Sequence, residues 1–459
     1  MKKIKQLLED KLSFYNSLVL PWHFMQAVFW GVKYGFPARK LTVIGVTGTN
    51  GKTSTSFMIW KMLNTAGYKT ALMTTVAWGV PGNRAKGADE DGLVKQFEHM
   101  TTVDSRTLNR RISEFVAAGA EFLVLETSSH AMSQFRTLGI PIEVAVLTNV
   151  THEHLDYHRS FERYRQAKQK LFKKAKFSVI NADDKSCVWF AQDSKEHITY
   201  GIKRGKIKAK KVKLGTFGVK YEFGDIKIHR SEKSVGGRDD ADYKVGKVEI
   251  ETRIPGEFNV YNSLAAACVG LRLGLTESEV EEGILALDSV EGRMNRIDEG
   301  QEFGVIVDYA HTPDAFLKVF ASVVPGMRKA DGSKKGRIIS LTGGAGRRDE
   351  STRAERGEIS AKYSDVVIFT EDDSRDEPPE EIMEQFAKGA EKLGKQREKD
   401  MFLIVDRKKA IFQACKMAKK GDLVLILGKG HEKTILRADG PHKFEDLKVT
   451  REALKALKS

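Results

Sequence analysis

The stretch "LTVIGVTGTNGKTS" (41–54) decides the fold. A β-branched run leads into three spaced glycines, then a lysine and a polar, helix-compatible tail. Its head reads as a strand, and the following "TSTSFMIWKMLNTAG" reads as a helix that stops at a glycine. A strand, a glycine loop and a helix in that order make a cradle for phosphate, because backbone N–H groups at a helix start face the anion. Lys52 adds a point charge and Thr53 a hydroxyl able to ligate Mg²⁺, so Gly48, Thr49, Asn50, Gly51, Lys52, Thr53 and Ser54 are the candidate triphosphate contacts. The spacing departs from the standard phosphate loop: the position five before Gly51 is Val46, and the nearest glycine is Gly45.

Outward from this loop the pattern repeats. Strands are expected at "EFLVLE" (121–126), "EVAVLTNV" (143–150) and "FSVINADD" (177–184), with segments of helical period between them. The helix after "TTVDS" places Leu108, Ile112, Phe115 and Val116 on one face. This is an α/β domain, P-loop-like, with a mostly parallel sheet. Residues 203–253 change to short alternating strands, an antiparallel excursion or surface insertion, and "GEFNVYNSLAAACVGLRLG" (256–274) returns to helix. After Gly292 a second, Rossmann-like α/β series begins, with strands at "GVIVDYAH", "RIISLTGG", "DVVIFTEDD", "MFLIVDR" and "DLVLILGKGH". The unusual residues of that series, Asp308 and His311, Gly343 and Gly344, Asp372 and Arg375, and Gly428 to Glu432, all fall just past their strands. Ligands of open parallel sheets bind there, so these residues are expected to converge on one site, with the two domains facing across a cleft. The expected division is an N-terminal arm (1–40), an ATP-binding domain (41–293) and a C-terminal α/β domain (294–459).

At 459 residues the chain exceeds what one core usually serves, which also argues for more than one domain. Its 76 basic and 62 acidic residues leave a charge of +14, suited to an anionic substrate, a membrane surface or nucleic acid. Nucleic acid is set aside because the lysines are scattered and no recognisable nucleic-acid module accompanies them. Cys187, Cys268 and Cys415 are too far apart in sequence for a disulfide framework or zinc cluster, which fits a reducing cytoplasm. The apolar N-terminal stretch "SLVLPWHFMQAVFWGV" (17–32) is too short and interrupted to span a bilayer, and it lacks a cleavage site. It reads either as a helix packed on a partner domain or as a contact with a membrane surface.

Three further segments carry chemistry. Glu126 ends a buried strand before Ser128, Ser129 and His130, as a structural cap or a magnesium ligand. "NVTHEHLDYH" (149–158) groups His152, Glu153, His154, Asp156 and His158, suggesting a metal but not with the spacing of a zinc helix. In "SFERYRQAKQKLF" (160–172), Phe161, Tyr164, Lys168 and Leu171 share one stripe, so a lysine intrudes on an apolar face. Either its ammonium snorkels to solvent, or burial lowers its pKa so that the amine is modified or meets a phosphate.

In this order, "TGTNGKT", "ETSSHAMSQFR", "HEHLDYH" with "YRQAK", "GEFNVYNSLAA", "GRMNRID", "DYAHTPD", "GGAGRRD" and "GKGHE" resemble the Mur ligase family, the ATP-dependent amide-forming enzymes of peptidoglycan precursor synthesis. The likeness runs from about residue 41 to 435 and is strongest to the branch adding the third stem residue. It implies that Lys52, Lys168, Glu126 and His154 are catalytic, with Thr53, Glu126, His154 and Lys168, the last as a carbamate (N6-carboxylysine), serving Mg²⁺. It implies adenine-side contacts from Asn259 and Asn262, and further ATP contacts from Arg293, Asp308 and Tyr309. Thr101, Thr102, Ser129, Gln134 and Arg136 correspond to muramoyl-peptide contacts, and Arg348, Asp372, Asp373, Arg375, Gly428 and Glu432 to the incoming amino acid's site. The implied partners are small molecules, UDP-MurNAc-L-Ala-D-Glu and an amino acid, bound by a monomeric cytoplasmic enzyme.

Four departures stand out. Only a short arm precedes the loop where the family's third-residue enzymes carry a uridine-holding domain, so either uridine is held by the aromatic arm around Trp22, Phe29 and Trp30 or by a partner, or the acceptor is not the usual nucleotide. "TTVDS" stands for the family's Thr-Thr-Pro, and Glu153 for an aspartate. In "TEDDSRDEPP" (370–379), Asp373 and Ser374 replace the Asn and Pro of diaminopimelate-selecting enzymes, while Arg375 and Glu432 are kept. The arginine favours meso-diaminopimelate over L-lysine, and the added charge of Asp373 counts against it. The competing readings are a folylpolyglutamate-type or cyanophycin-type ligase, a non-catalytic nucleotide-binding scaffold, and a phosphate-loop NTPase stimulated by nucleic acid.

Overall fold

The computed structural model describes residues 20–458 apart from 84–86, 97, 99, 152–154, 216–217, 232–234, 236–240, 329–332 and 349, with residues 155 and 156 described by backbone alone. The chain divides into two compact units. One takes in residues up to Val212 with Tyr221–Glu251 and Val260–Leu287; the other holds Lys213–Lys220, Thr252–Asn259 and Asp288–Ser459.

In the first unit, nine strands form one sheet among the described residues: β1 (Thr42–Thr47), β2 (Thr70–Met73), β3 (Ala77–Gly79), β4 (Leu93–Lys95), β5 (Phe122–Glu126), β6 (Val144–Leu147), β7 (Phe177–Asn181), β8 (His197–Gly201) and β9 (Ile207–Lys208). Their order is β4-β3-β2-β5-β1-β6-β7-β8-β9. Pairing is parallel from β2 through β5, β1, β6, β7 and β8 to β9, and the β2–β3 and β3–β4 pairs are antiparallel. Strands β1, β5, β6 and β7 are buried at every position, which is why they read as continuous apolar runs and not as alternation. Strand β1 is central, its Val46 opposite Glu126 of β5 on one side and Val146 of β6 on the other. The chain leaves β1 toward β2 and later places β6 on its other flank, so the loop after β1 opens at the point where strand order reverses.

The helices of this unit begin with α1 (20–33), followed by α2 (Lys52–Thr65), α3 (Ser105–Ala117), α4 (Ser129–Ser133), α5 (Leu155–His158), α6 (Phe161–Lys174) and α7 (Cys187–Gln192). Asp104 caps α3 by accepting from the N–H groups of Arg106 and Thr107, and Leu108, Ile112 and Phe115 of its expected stripe are buried, with Val116 against the same core. Helix α8 (Glu257–Arg272) and α9 (Glu277–Leu285) follow, α9 starting with a Thr276–Glu279 capping box. The 203–253 region contributes β10 (Lys210–Gly215), β11 (Gly218–Phe223) and β14 (Val248–Thr252) as one small sheet, and β12 (Ile226–His229) with β13 (Asp242–Val245) as an antiparallel pair.

In the second unit, β15 (Asn295–Arg296), β16 (Gly304–Asp308), β17 (Ile338–Thr342), β18 (Val366–Phe369), β19 (Met401–Leu403) and β20 (Leu423–Leu427) form a sheet of order β15-β16-β20-β17-β18-β19. All its pairs are parallel except the edge strand β15. Helices α10 (Pro313–Val323), α11 (Ser351–Tyr363), α12 (Pro379–Glu391), α13 (Arg407–Met417) and α14 (Asp446–Ala456) accompany it, and β21 (Thr434–Arg437) pairs with β22 (Gly440–Lys443) in a separate hairpin. The expected α/β class, with a mostly parallel sheet in each half, is what the chain adopts. Among the described residues no helix is long and apolar enough to cross a membrane.

Candidate active site

In the first unit the loop after β1 is built for close approach. Gly51 has φ 85°, the left-handed region, and caps α2; a Cβ there would stand 2.4 Å from Asn262 Oδ1. A Cβ on Gly48 would fall 1.9 Å from Thr148 Oγ1. Fasteners hold the loop's shape: Thr49 N donates to Asn149 O (2.7 Å), Asn50 N to Asn149 Oδ1 (3.0 Å), and Thr148 Oγ1 to Asn50 O (2.7 Å). Lys52 Nζ bends back to Thr49 O at 2.7 Å, putting a cation over the loop at the helix start.

Glu126, 1% exposed at the end of β5, accepts from Thr53 Oγ1 (3.1 Å), Thr75 N (3.0 Å) and Thr75 Oγ1 (3.1 Å). Thr53 and Glu126, proposed as metal ligands from opposite ends of a long sequence gap, are therefore neighbours, and their oxygen donors suit a hard cation such as Mg²⁺. His154 lies outside the described residues.

Lys168 is buried, and its amine points inward. Ser160 caps α6 and sets its start, Tyr164 donates to or accepts from Thr49 Oγ1 at 3.0 Å, and one turn on Lys168 Nζ donates to Gly48 O at 2.7 Å, 4.6 Å from the Tyr164 ring centre. The snorkelling reading of this lysine is thus replaced by contact with the phosphate loop itself.

Beside these groups the muramoyl-peptide candidates form a network. Thr102 Oγ1 donates to Glu126 O (2.9 Å) and accepts from Ser128 N (3.1 Å), while Arg136 donates to Thr102 O and, through Nε, to Gln134 Oε1 (3.0 Å). Ser129 Oγ lies 2.9 Å from His158 Nε2, and Thr101 is half-buried ahead of Thr102. Asn262 Oδ1 accepts from Thr55 Oγ1 at 3.3 Å, backing the first turn of α2. In the second unit Asn259 Nδ2 donates to Pro255 O at 2.7 Å, its side chain fully buried.

The strand ends of the second unit hold a different construction. Asp308 accepts from Met294 N and Ala310 N, both at 2.7 Å; burial raises its pKa, with Arg293 and those N–H groups opposing. Arg293 lies 4.7 Å from the ring of Tyr309, whose hydroxyl donates to Glu432 Oε1 at 3.3 Å. Lys429, fully buried, donates to Asp372 (3.1 Å), Asp373 (2.8 Å) and Glu432 (2.7 Å). Their oxygens lie within 4.8 Å of one another, a spacing compatible with a metal, but an ammonium already stands among them.

These charges set one another. Burial alone would depress Lys429, and the three carboxylates reverse this, holding it well above the ordinary lysine value. Burial would raise Asp372, but Lys429 and Arg407 bring it down to about 2. Glu432 is raised by burial and by the neighbouring aspartates. His431 is pushed well below its ordinary value by burial and by Arg293, Lys433 and His311, which keeps its ring neutral. Arg407, also fully buried, pairs with Asp446 through two 2.8 Å bonds and donates to Leu427 O at 3.0 Å.

Asp373 has a second role. Its Oδ1 also accepts from Leu436 N at 2.9 Å, while Arg375 N donates to Leu436 O at 2.8 Å, so the β21–β22 hairpin is latched onto the 371–375 loop. Arg375, at φ 55°, donates through Nη1 to Gly346 O at 2.8 Å; Arg348 is exposed. Thus Asp372, Asp373, Arg375, Gly428 and Glu432 gather as expected at strand ends, whereas the sequence reading assigned no role to Lys429, Arg407 or Leu436. Lys429 could have been found as the one cation inside "GKGHE"; nothing local marks Leu436.

The model of the Mur ligase middle domain matches residues 46–270, and that of the Mur ligase glutamate ligase domain matches residues 292–430. The UDP-N-acetylmuramoyl-L-alanyl-D-glutamate–2,6-diaminopimelate ligase 1 of Clostridium acetobutylicum is 35% identical over 429 residues, covering 92% of this chain and 80% of that protein. The UDP-N-acetylmuramyl-tripeptide synthetase of Treponema denticola is 33% identical over 443 residues, covering 92% and 77%. A solved structure of a UDP-N-acetylmuramoyl-L-alanyl-D-glutamate–2,6-diaminopimelate ligase superposes with a TM-score of 0.59 at 29% identity, covering 91% of this chain and 79% of that one. The folylpolyglutamate synthase of Mycobacterium tuberculosis reaches a TM-score of 0.65 over 94% of both chains, at 14% identity a likeness of fold alone.

Proposed function

The chain belongs to the Mur ligase family, and on that premise we propose that it joins meso-diaminopimelate to UDP-MurNAc-L-Ala-D-Glu. It is an ATP-dependent, amide-bond-forming ligase of peptidoglycan precursor synthesis. The acceptor's carboxylate attacks the γ-phosphorus of ATP, ADP leaves, and an acyl phosphate forms. The amino group of the incoming amino acid then attacks the carbonyl, and the tetrahedral intermediate expels phosphate. Such a reaction is governed by positioning and by neutralising charge. Backbone N–H groups at 48–52 and the Lys52 ammonium meet the phosphates. Mg²⁺ would be held by Thr53 and Glu126, with His154, and would neutralise phosphate charge. Lys168 has its amine at the loop carbonyl of Gly48; loss of one proton from its ammonium, then reaction of the neutral amine with CO₂ and loss of a second proton, would turn a buried cation into an anionic carbamate able to serve a second Mg²⁺.

The choice of amino acid rests on one observation: the charge of Asp373 is engaged by Lys429 and by the Leu436 N–H. It therefore does not count against an anionic substrate group. Arg375 on the same latched loop is left as the residue that tells diaminopimelate, which has a distal carboxylate, from lysine, which has none. Glu432 answers the distal ammonium. We place the enzyme in the cytoplasm as a monomer, a setting supported by three free cysteines.

The test is phosphate release from ATP by the purified protein with UDP-MurNAc-L-Ala-D-Glu and a panel of amino acids. Diaminopimelate stimulates release and lysine does so far less. Stimulation only by a folate or another acceptor assigns the chain to the folylpolyglutamate-type reading instead. For Lys168, the Lys168→Ala variant loses turnover and acetate partly restores it; absence of rescue removes the carbamate while leaving the ligase assignment intact.

A further inference from the structure

Helix α1 is fastened to its unit by one face only. Ala27 is 1% exposed, and Phe36, held at φ 49°, fits its ring against Gly31 and Gly139 so closely that a Cβ on either would stand 2.5–2.6 Å from it. The opposite face carries Trp22, Met25, Phe29 and Val32 at helical spacing, flanked by Phe24 and Val28, and all six are exposed, Phe29 to 58% and Val32 to 64%. With Lys33 five of these line one shallow groove. An apolar patch of this size on a water-soluble surface marks a contact with something apolar.

The charge around the patch says what kind. From Lys11 to Ala88 the sequence contains no aspartate or glutamate. Lys33, Arg39 and Lys40 are exposed at the helix's end, Arg106 stacks 5.0 Å from Trp30, and Lys170 lies 5.9 Å from the ring of Phe135, which meets Phe24 edge-on at 5.4 Å. Asp104, one residue ahead of α3, is engaged in capping that helix. A second copy would bring like-charged rims together, each from a chain of net +14. Aromatic and aliphatic side chains along one helix face, with cations at the edge and no acidic residue among the described residues 20–40, match the boundary of an anionic bilayer, where rings enter the headgroup layer and lysines meet phosphates. We infer that the exposed face of α1 docks the protein peripherally on anionic phospholipid membrane. This holds whether or not the amino-acid assignment above is right.

The test is flotation of the full chain with vesicles of pure phosphatidylcholine and of an equal mixture of phosphatidylcholine and phosphatidylglycerol, with tryptophan emission read in parallel. The mixed vesicles carry the protein up and shift its emission to the blue; the neutral ones bind it weakly. The double variant Phe29→Glu/Val32→Glu, shown to be folded by its thermal midpoint and circular dichroism, stays at the bottom. Should it misfold, Lys33→Glu/Lys40→Glu serves instead, losing affinity by about fivefold per charge, as does raising the salt. Equal binding to both vesicles, or none, overturns the inference. So does a concentration-dependent dimer abolished by the same variants, which would make the face a self-interface. So too does UDP quenching the tryptophans in competition with vesicles, which would make it a uridine site.

Discussion

The phosphate loop of the first unit and the strand-end cluster of the second solve the same problem, holding charged groups still, by opposite means. The loop is fixed chiefly by neutral bonds among main-chain groups, threonines and an asparagine, joined by the buried Lys168 at Gly48 O, and its own charge, Lys52, is only half-buried. The cluster is fixed by ions: Lys429 among three carboxylates and Arg407 on Asp446, both cations fully buried. A neutral scaffold survives loss of its cation; an ionic one does not, because each buried charge is tolerated only while its partners remain.

Removing the central cation of each region separates them most widely. Lys429→Met leaves Asp372, Asp373 and Glu432 facing one another, and chemical denaturation should show a loss of about 3–5 kcal/mol, centred on the second unit. Lys52→Ala should leave the denaturation curve near that of the parent while turnover falls about 10²–10³-fold, as expected for a cation that acts on transferred charge. A midpoint lowered as much by Lys52→Ala as by Lys429→Met would erase the distinction.

Acid should weaken the strand-end region more gently. His431 has a depressed pKa, so below its ordinary 6.5 the unfolded chain binds a proton that the folded chain refuses, and stability falls as pH drops from there. Asp372, also depressed, stabilises above 3.8, and that contribution disappears as pH falls toward about 2. Thermal midpoints measured from neutral to acid pH should therefore decline first below 6.5, and His431→Gln should flatten that first limb while leaving the later one. The smallest effect belongs to Asp373→Asn. An amide oxygen still accepts from Leu436 N, so the hairpin stays latched and stability changes by about 1 kcal/mol or less, with KM for diaminopimelate moving only a few-fold. A complete loss of diaminopimelate use in that variant would show that Asp373 touches the substrate.

How much could be read in advance follows the same division. The phosphate loop is local: its strand, glycines, lysine and helix are contiguous, and the continuous apolar runs of β1, β5 and β6 announced strands buried on both faces. Lys168 was visible as an intruder on an apolar stripe, but spacing is the same for an amine that reaches solvent and one that turns inward, and only the packing of α6 distinguishes them. The cluster is non-local. Asp373 read as an unbalanced charge because its neutralising lysine lies 56 residues away and its main-chain partner 63. The edges of the units were equally hidden: the short segments Lys213–Lys220 and Thr252–Asn259 group with the second unit, though sequence alone places them inside the first domain.

The latch on the 371–375 loop is made by the main chain of Leu436, which gives its N–H to Asp373 and takes one from Arg375. Its grip is thus indifferent to which side chain stands at that position, proline excepted. One residue on, the side chain matters: Arg437 donates through Nε (3.0 Å) and Nη2 to Glu371, so the start of the acidic loop depends on that arginine while position 436 is free to vary.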